Sequence, residues 1–100
     1  MLKVGLLATM HAKAGREDEL AQFLAGAVQM ANQERGTTVW FAFRIGDGTF
    51  GIFDAFGGED GRQAHLNGPI AKALMARASE LLSEPPKIEK ADVLAAKVPS

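Results

Sequence analysis

The strongest constraint on this chain lies in residues 37–57. Two stretches, 37–46 (TTVWFAFRIG) and 49–57 (TFGIFDAFG), flank Asp47-Gly48. β-Branched and aromatic residues suit strands, and Asp-Gly is a preferred two-residue hairpin turn. The segment therefore predicts an antiparallel hairpin. Both faces of it are apolar. Val39, Phe41, Phe43 and Ile45 oppose Trp40 and Ala42, and Phe53 and Ala55 oppose Phe50, Ile52 and Phe56. In the extended stretch 2–12, Leu7 likewise opposes Leu6 and Ala8. A sheet covered by helices on one face should alternate apolar and polar residues. An uncovered apolar face is rare on a soluble monomer. Two copies packed sheet to sheet would bury it with two-fold symmetry, so we expect a homodimer through the sheet face. The C-terminal segment is too short and polar to cover that face instead.

Helical signals fill the gaps. Ala14-Gly15 ends the first strand, and Glu17, Asp18 and Glu19 stand where a helix N-terminus favours negative charge. Leu20, Phe23, Leu24, Ala27, Val28 and Ala31 then repeat at helical spacing. Gly36 after Arg35 reads as the C-terminal cap. Residues 59–66 predict a short helical turn. Asn67-Gly68-Pro69 starts a second helix, striped by Ile70, Leu74, Ala78 and Leu81 and stopped by Pro85-Pro86. Residues 87–97 form a last, weaker strand. The order βαββαβ predicts an α+β ferredoxin-like domain over 1–100: a four-stranded antiparallel sheet with two helices on one face.

Composition excludes several functions. The chain has 100 residues, 47% of them hydrophobic, and carries 11 basic against 12 acidic groups. That balance gives no field to attract nucleic acid or anionic lipid. With no cysteine there is no thiolate chemistry, and two histidines leave little for a metal site. No apolar run reaches the roughly 18 residues of a membrane span, and no signal-peptide pattern opens the chain. We expect a cytoplasmic protein with no metal and no cofactor.

Several short motifs, in order, point to a family. They are Ala-Gly-Arg-Glu-Asp-Glu-Leu at 14–20, Glu34-Arg35-Gly36-Thr37, Phe53-Asp54-Ala55-Phe56 and Ala64-His65-Leu66. The chain resembles the antibiotic-biosynthesis-monooxygenase-like family of dimeric α+β barrels over nearly its whole length. The resemblance implies a range of activities: cofactor-independent oxidation of anthrones or quinols by O₂, haem degradation, isomerisation of a phosphorylated sugar, or none known. Fold analogy does not choose among them. The haem-degrading branch needs an Asn on the first strand, and a Trp and a His around the second helix. Here the first Asn is Asn32, the only Trp is Trp40 on the second strand, and no His follows His65. Haem degradation is rejected.

His65 is the leading catalytic candidate, because an imidazole titrating near neutrality suits proton abstraction from a phenolic or enolic substrate. Asp54, a carboxylate in an apolar strand, is the second; a structural hydrogen bond or ion pair competes with that role. The family pattern has Glu there, one methylene longer. Arg44 could hold an oxyanion or form an interface ion pair. Trp40, Phe41, Phe43, Phe56 and Met10 are the candidate lining for a planar ligand, with core packing as the competing role. His11, at the end of the first strand, is a minor candidate.

Two glycine clusters match no nucleotide fingerprint. The expected function is a cofactor-independent monooxygenase oxidising a small planar quinol- or anthrone-like substrate. The alternatives are a non-catalytic small-molecule-binding or stress-related module, and a proton-transfer isomerase.

Overall fold

The computed structural model describes residues 1–99. Its elements are β1 (Val4–His11), α1 (Glu17–Gly26), α2 (Val28–Ala31), β2 (Thr37–Ile45), β3 (Thr49–Phe56), α3 (Glu59–Leu66), α4 (Pro69–Leu81) and β4 (Lys87–Asp92). The four strands pair antiparallel in the order β2-β3-β1-β4. This is the expected ferredoxin-like α+β fold.

Three boundaries differ from expectation. The first helix does not run to Gly36. It breaks after Gly26, resumes for one turn in α2, and gives way to a loop at Asn32. Glycine is a poor helix former, at about 1 kcal/mol below alanine, and the break frees residues 32–36 to turn toward α3. The expected turn over 59–66 is a full eight-residue helix. The last strand stops at Asp92, not 97, because its partner β1 begins at Val4, opposite Asp92.

The register decides which side chains meet the helices. Leu6, Ala8 and Met10 of β1 stand opposite Asp54, Ile52 and Phe50 of β3. Trp40, Ala42 and Arg44 of β2 stand opposite the same three residues. This is the covered face. Its core joins Met10, Phe50 and Ile52 to Leu20, Leu24, Leu74 and Leu81. At the far end, Thr37 pairs with Phe56 and Val39 with Ala55, so Thr38 is an extra residue in β2.

The other face carries Leu7, Phe53, Val39, Phe41, Phe43 and Ile45, and no helix among the described residues lies over it. Phe41 is 59% exposed and Ile45 62%. Gly51 lies beneath the Phe43 ring, where a Cβ would approach ring carbon Cζ to 2.3 Å. Residues 93–99 have no regular secondary structure, and Leu94 is exposed.

Candidate functional site

α3 is fixed to the sheet by Arg62. Its guanidinium is buried and donates to the carbonyls of Gly5 and Ala91, each at 3.3 Å. It also pairs with Glu59. A buried guanidinium needs such partners for its five donors. Arg62 thus ties α3 to β1 and β4, and one helical turn later His65 faces β3.

His65 lies between two carboxylates. Its Nε2 is 2.9 Å from Asp54 Oδ2, and its Nδ1 is 2.7 Å from Glu34 Oε1. Glu34 Oε1 also accepts from Thr37 Oγ1 at 2.7 Å. Asp54 is 1% exposed, and His65 is buried. The Phe56 ring closes one side, its centroid 5.5 Å from that of His65.

Glu34 reaches this position because its loop crosses α3 at two glycines. A Cβ on Gly36 would come within 2.8 Å of Gly61 Cα, and one on Gly61 within 2.7 Å of the Gly36 carbonyl.

Burial alone would depress the His65 pKa. Hydrogen bonds and charge from Asp54 and Glu34 outweigh it and raise the value to about 9. His65 is therefore an imidazolium at neutral pH, with a proton on each nitrogen. This corrects the expectation of a base titrating near neutrality: the ring has no lone pair left to accept a proton or bind a metal. Among the described residues, three buried polar atoms have no hydrogen-bond partner: Asp54 Oδ1, Glu34 Oε2 and Trp40 Nε1. Such atoms are rare in folded proteins.

Asp54 and His65 border one end of a cavity of about 40 Å³. Leu6, Ala8 and Ile52 of the sheet form its floor, and Ile70 and Ala71 of α4 its roof. Ile88, on its outer side, is 47% exposed. A larger hollow of about 550 Å³ lies between Met1 and Val98, but no titratable side chain among the described residues lines it.

The other candidates are dispersed. Phe56 touches the cluster, and Trp40 is directly opposite Asp54 while packing toward Ala27, Ala31 and Ile70. Met10 is fully buried in the main core opposite Phe50, four residues along from Leu6, so it does not reach the cluster. Phe41 and Phe43 project from the opposite face, because side chains alternate along a strand. The expected aromatic slot is thus split by the sheet. Arg44 folds onto its own turn, donating through Nε and Nη2 to the Asp47 carbonyl at 3.2 and 2.6 Å. Its guanidinium also covers Phe50, so no oxyanion role at this cluster follows. His11 contacts Thr49 and Glu84 instead.

Glu34 was not foreseen as a site residue. Its only signal was its place in Glu34-Arg35-Gly36-Thr37.

No protein-family model matches the chain, and no curated protein does. Among solved structures, a protein of unknown function from Nitrosomonas europaea is 59% identical, with a TM-score of 0.98. The match covers 100% of this chain and 97% of that one. The chain belongs to the family of that Nitrosomonas protein.

The family's fold extends to more distant structures. A protein from Deinococcus radiodurans, provisionally named an antibiotic biosynthesis monooxygenase, is 22% identical at a TM-score of 0.79, covering 97% of this chain and 98% of that one. One from Chloroflexus aurantiacus with the same provisional name is 17% identical at 0.74, covering 96% and 97%. The antibiotic-biosynthesis-monooxygenase-like fold expected from the sequence motifs is the fold of this family.

Among the described residues, no helix is long and apolar enough to cross a membrane.

Proposed function

We propose that this protein is a cofactor-independent oxygenase of a small planar quinol- or anthrone-type compound, with Asp54 as the group that takes the substrate proton. The observation that carries this is Asp54, which borders an apolar cavity and whose Oδ1 is buried without a partner. Its other oxygen is held by His65, so Oδ1 is the free acceptor.

The charges suit such a step. When Asp54 takes a proton, the substrate becomes an anion beside the His65 imidazolium. A preformed cation where negative charge develops, out of water, is an effective form of stabilisation. Glu34 keeps the ring protonated and oriented. The anion then passes one electron to O₂, and the radical pair joins as a C–O bond. The peroxide recovers the proton from Asp54, and loss of water leaves a carbonyl. Overall, R₂CH₂, bound as its enol so that the hydroxyl gives up the proton, and O₂ give R₂C=O and H₂O. One oxygen atom enters the product and the other becomes water.

The assembly in this account is a homodimer through the open sheet face. The exposure of Phe41 and Ile45 supports it, since a patch of that kind on a monomer marks an interface.

A second reading, a small-molecule-binding module, is favoured by the same unpartnered oxygen, which a bound ligand satisfies with no reaction in the cavity. At about 40 Å³ the cavity falls well below the roughly 300–1,000 Å³ of typical ligand sites. In the oxygenase account it takes only the reacting edge of the substrate, and the rest emerges past Ile88. Incubation with quinols and anthrones under ¹⁸O₂ separates the two. The oxygenase incorporates one labelled atom into product, above autoxidation; the binding module retains ligand without incorporation.

A further inference from the structure

We infer that the cavity beside Asp54 receives the hydroxyl end of an otherwise apolar ligand, and that Ala8 and Ala71 make the room for it. The inference rests on the small-molecule site described above and specifies which end of the ligand enters.

The cavity is polar at one end only. Asp54 and His65 are its titratable side chains; Leu6, Ala8, Ile52, Ile70 and Ala71 surround the remainder. Both His65 nitrogens are already engaged. Asp54 Oδ1 is the one side-chain acceptor there still without a partner. A buried water needs two to four polar partners to be held well, and the side chains offer it one. A ligand hydroxyl needs only that one: it donates its proton to Oδ1 while the carbon bearing it meets the apolar walls. A second polar group beside the hydroxyl would face Ile52, Ala8 or Ala71 and lose its water without compensation. The site therefore selects a single hydroxyl at the leading end. Substituents at the trailing end pass the half-exposed Ile88.

Small side chains set the volume. Ala8 comes from β1 and Ala71 from the first turn of α4, on opposite sides of the cavity. A leucine at 71 would project three more carbons into a space of about 40 Å³. Ala71 touches neither His65 nor Asp54 through a hydrogen bond, and leucine suits a helix.

Three probes with one ring test this by NMR titration, followed at the Ala8, Ala71 and Ile88 methyls. Phenol offers one hydroxyl, anisole the same oxygen without a proton, and catechol a second hydroxyl next to the first. The expected order is phenol at least tenfold tighter than either of the others. Ala71→Leu should abolish phenol binding with the His65 ring signals unchanged, and Asp54→Asn should remove the preference for phenol over anisole. Equal binding of phenol and anisole to the wild-type protein would overturn the inference, even if Asp54→Asn does not fold. So would undiminished phenol binding in Ala71→Leu, or no phenol binding at all. Phenol selectivity without oxygen incorporation into any quinol or anthrone would leave this inference standing and count against the oxygenase account. Incorporation without selectivity would do the reverse.

Discussion

Glu34 and His65 are 31 positions apart in sequence, yet Glu34 Oε1 lies 2.7 Å from His65 Nδ1. That contact turns an Asp–His pair into a cation held between two carboxylates. In the proposed reaction it separates the roles: the imidazolium would supply charge, and Asp54 the acceptor.

Removing Glu34's charge should therefore lower the His65 pKa. In Glu34→Gln one of the two carboxylates that hold the ring protonated is gone, while burial still favours the neutral form. NMR titration of the ring should show its midpoint moving down from about 9 toward the ordinary 6.5. An unchanged midpoint would mean that Asp54 alone sustains the shift.

The raised pKa also makes stability depend on pH. His65 binds its proton more tightly folded than unfolded, so its contribution is fully present below the unfolded value of 6.5 and is lost as pH rises through about 9. The loss is about 3 kcal/mol, at 1.36 kcal/mol per unit. Urea midpoints should fall across this window in the wild-type protein and stay flat in His65→Gln. An equal fall in both would assign the dependence to other groups.

The Gly36–Gly61 crossing should tolerate no side chain. A Cβ at Gly61 would lie 2.7 Å from the Gly36 carbonyl, whereas one at Gly58 would meet nothing within 4 Å. Gly61→Ala should cost about 1–3 kcal/mol, the usual range for overpacking. It should also lower the His65 pKa by pushing the Glu34 loop away. Gly58→Ala should do neither. Denaturant melts and the ring titration report both effects.

The open face should control assembly. Phe41→Glu places a charge amid Phe43, Ile45 and Phe53 and should convert dimer to monomer in sedimentation equilibrium. The His65 titration should stay unchanged, because Phe41 points away from the covered face. A dimer that survives Phe41→Glu would place the interface elsewhere.

Much of this was legible in the chain because local chemistry and global fold agree. The Asp47-Gly48 turn, Pro69 at the start of α4 and the stripe of Ile70, Leu74 and Leu81 each report a contact made within a few residues. The apolar second face of β2 was legible for the same reason: period two assigns Phe41, Phe43 and Ile45 to one side. His65 and Asp54 were visible as chemistry-bearing residues in the family's motifs. Their pairing with Glu34 was not, since it depends on a loop crossing at Gly36 and Gly61 that no periodicity encodes. The expected aromatic slot failed on register. Phe41 and Trp40 are neighbours in sequence and therefore stand on opposite sides of the sheet. The helix expected to reach Gly36 gave way to a tertiary demand, the turn that brings Glu34 to His65.

Oxygen uptake decides whether Asp54 carries out this chemistry. Metal-stripped wild-type protein and Asp54→Asn would be compared with the same quinol and anthrone panel, each after circular dichroism shows it folded. Uptake above autoxidation is expected in the wild type and should fall at least a hundredfold in Asp54→Asn, where the carboxylate base is gone and the His65 cation has lost one of its two countercharges. Equal uptake in both would contradict the role of Asp54. No uptake by the wild type across the panel would contradict the oxygenase itself.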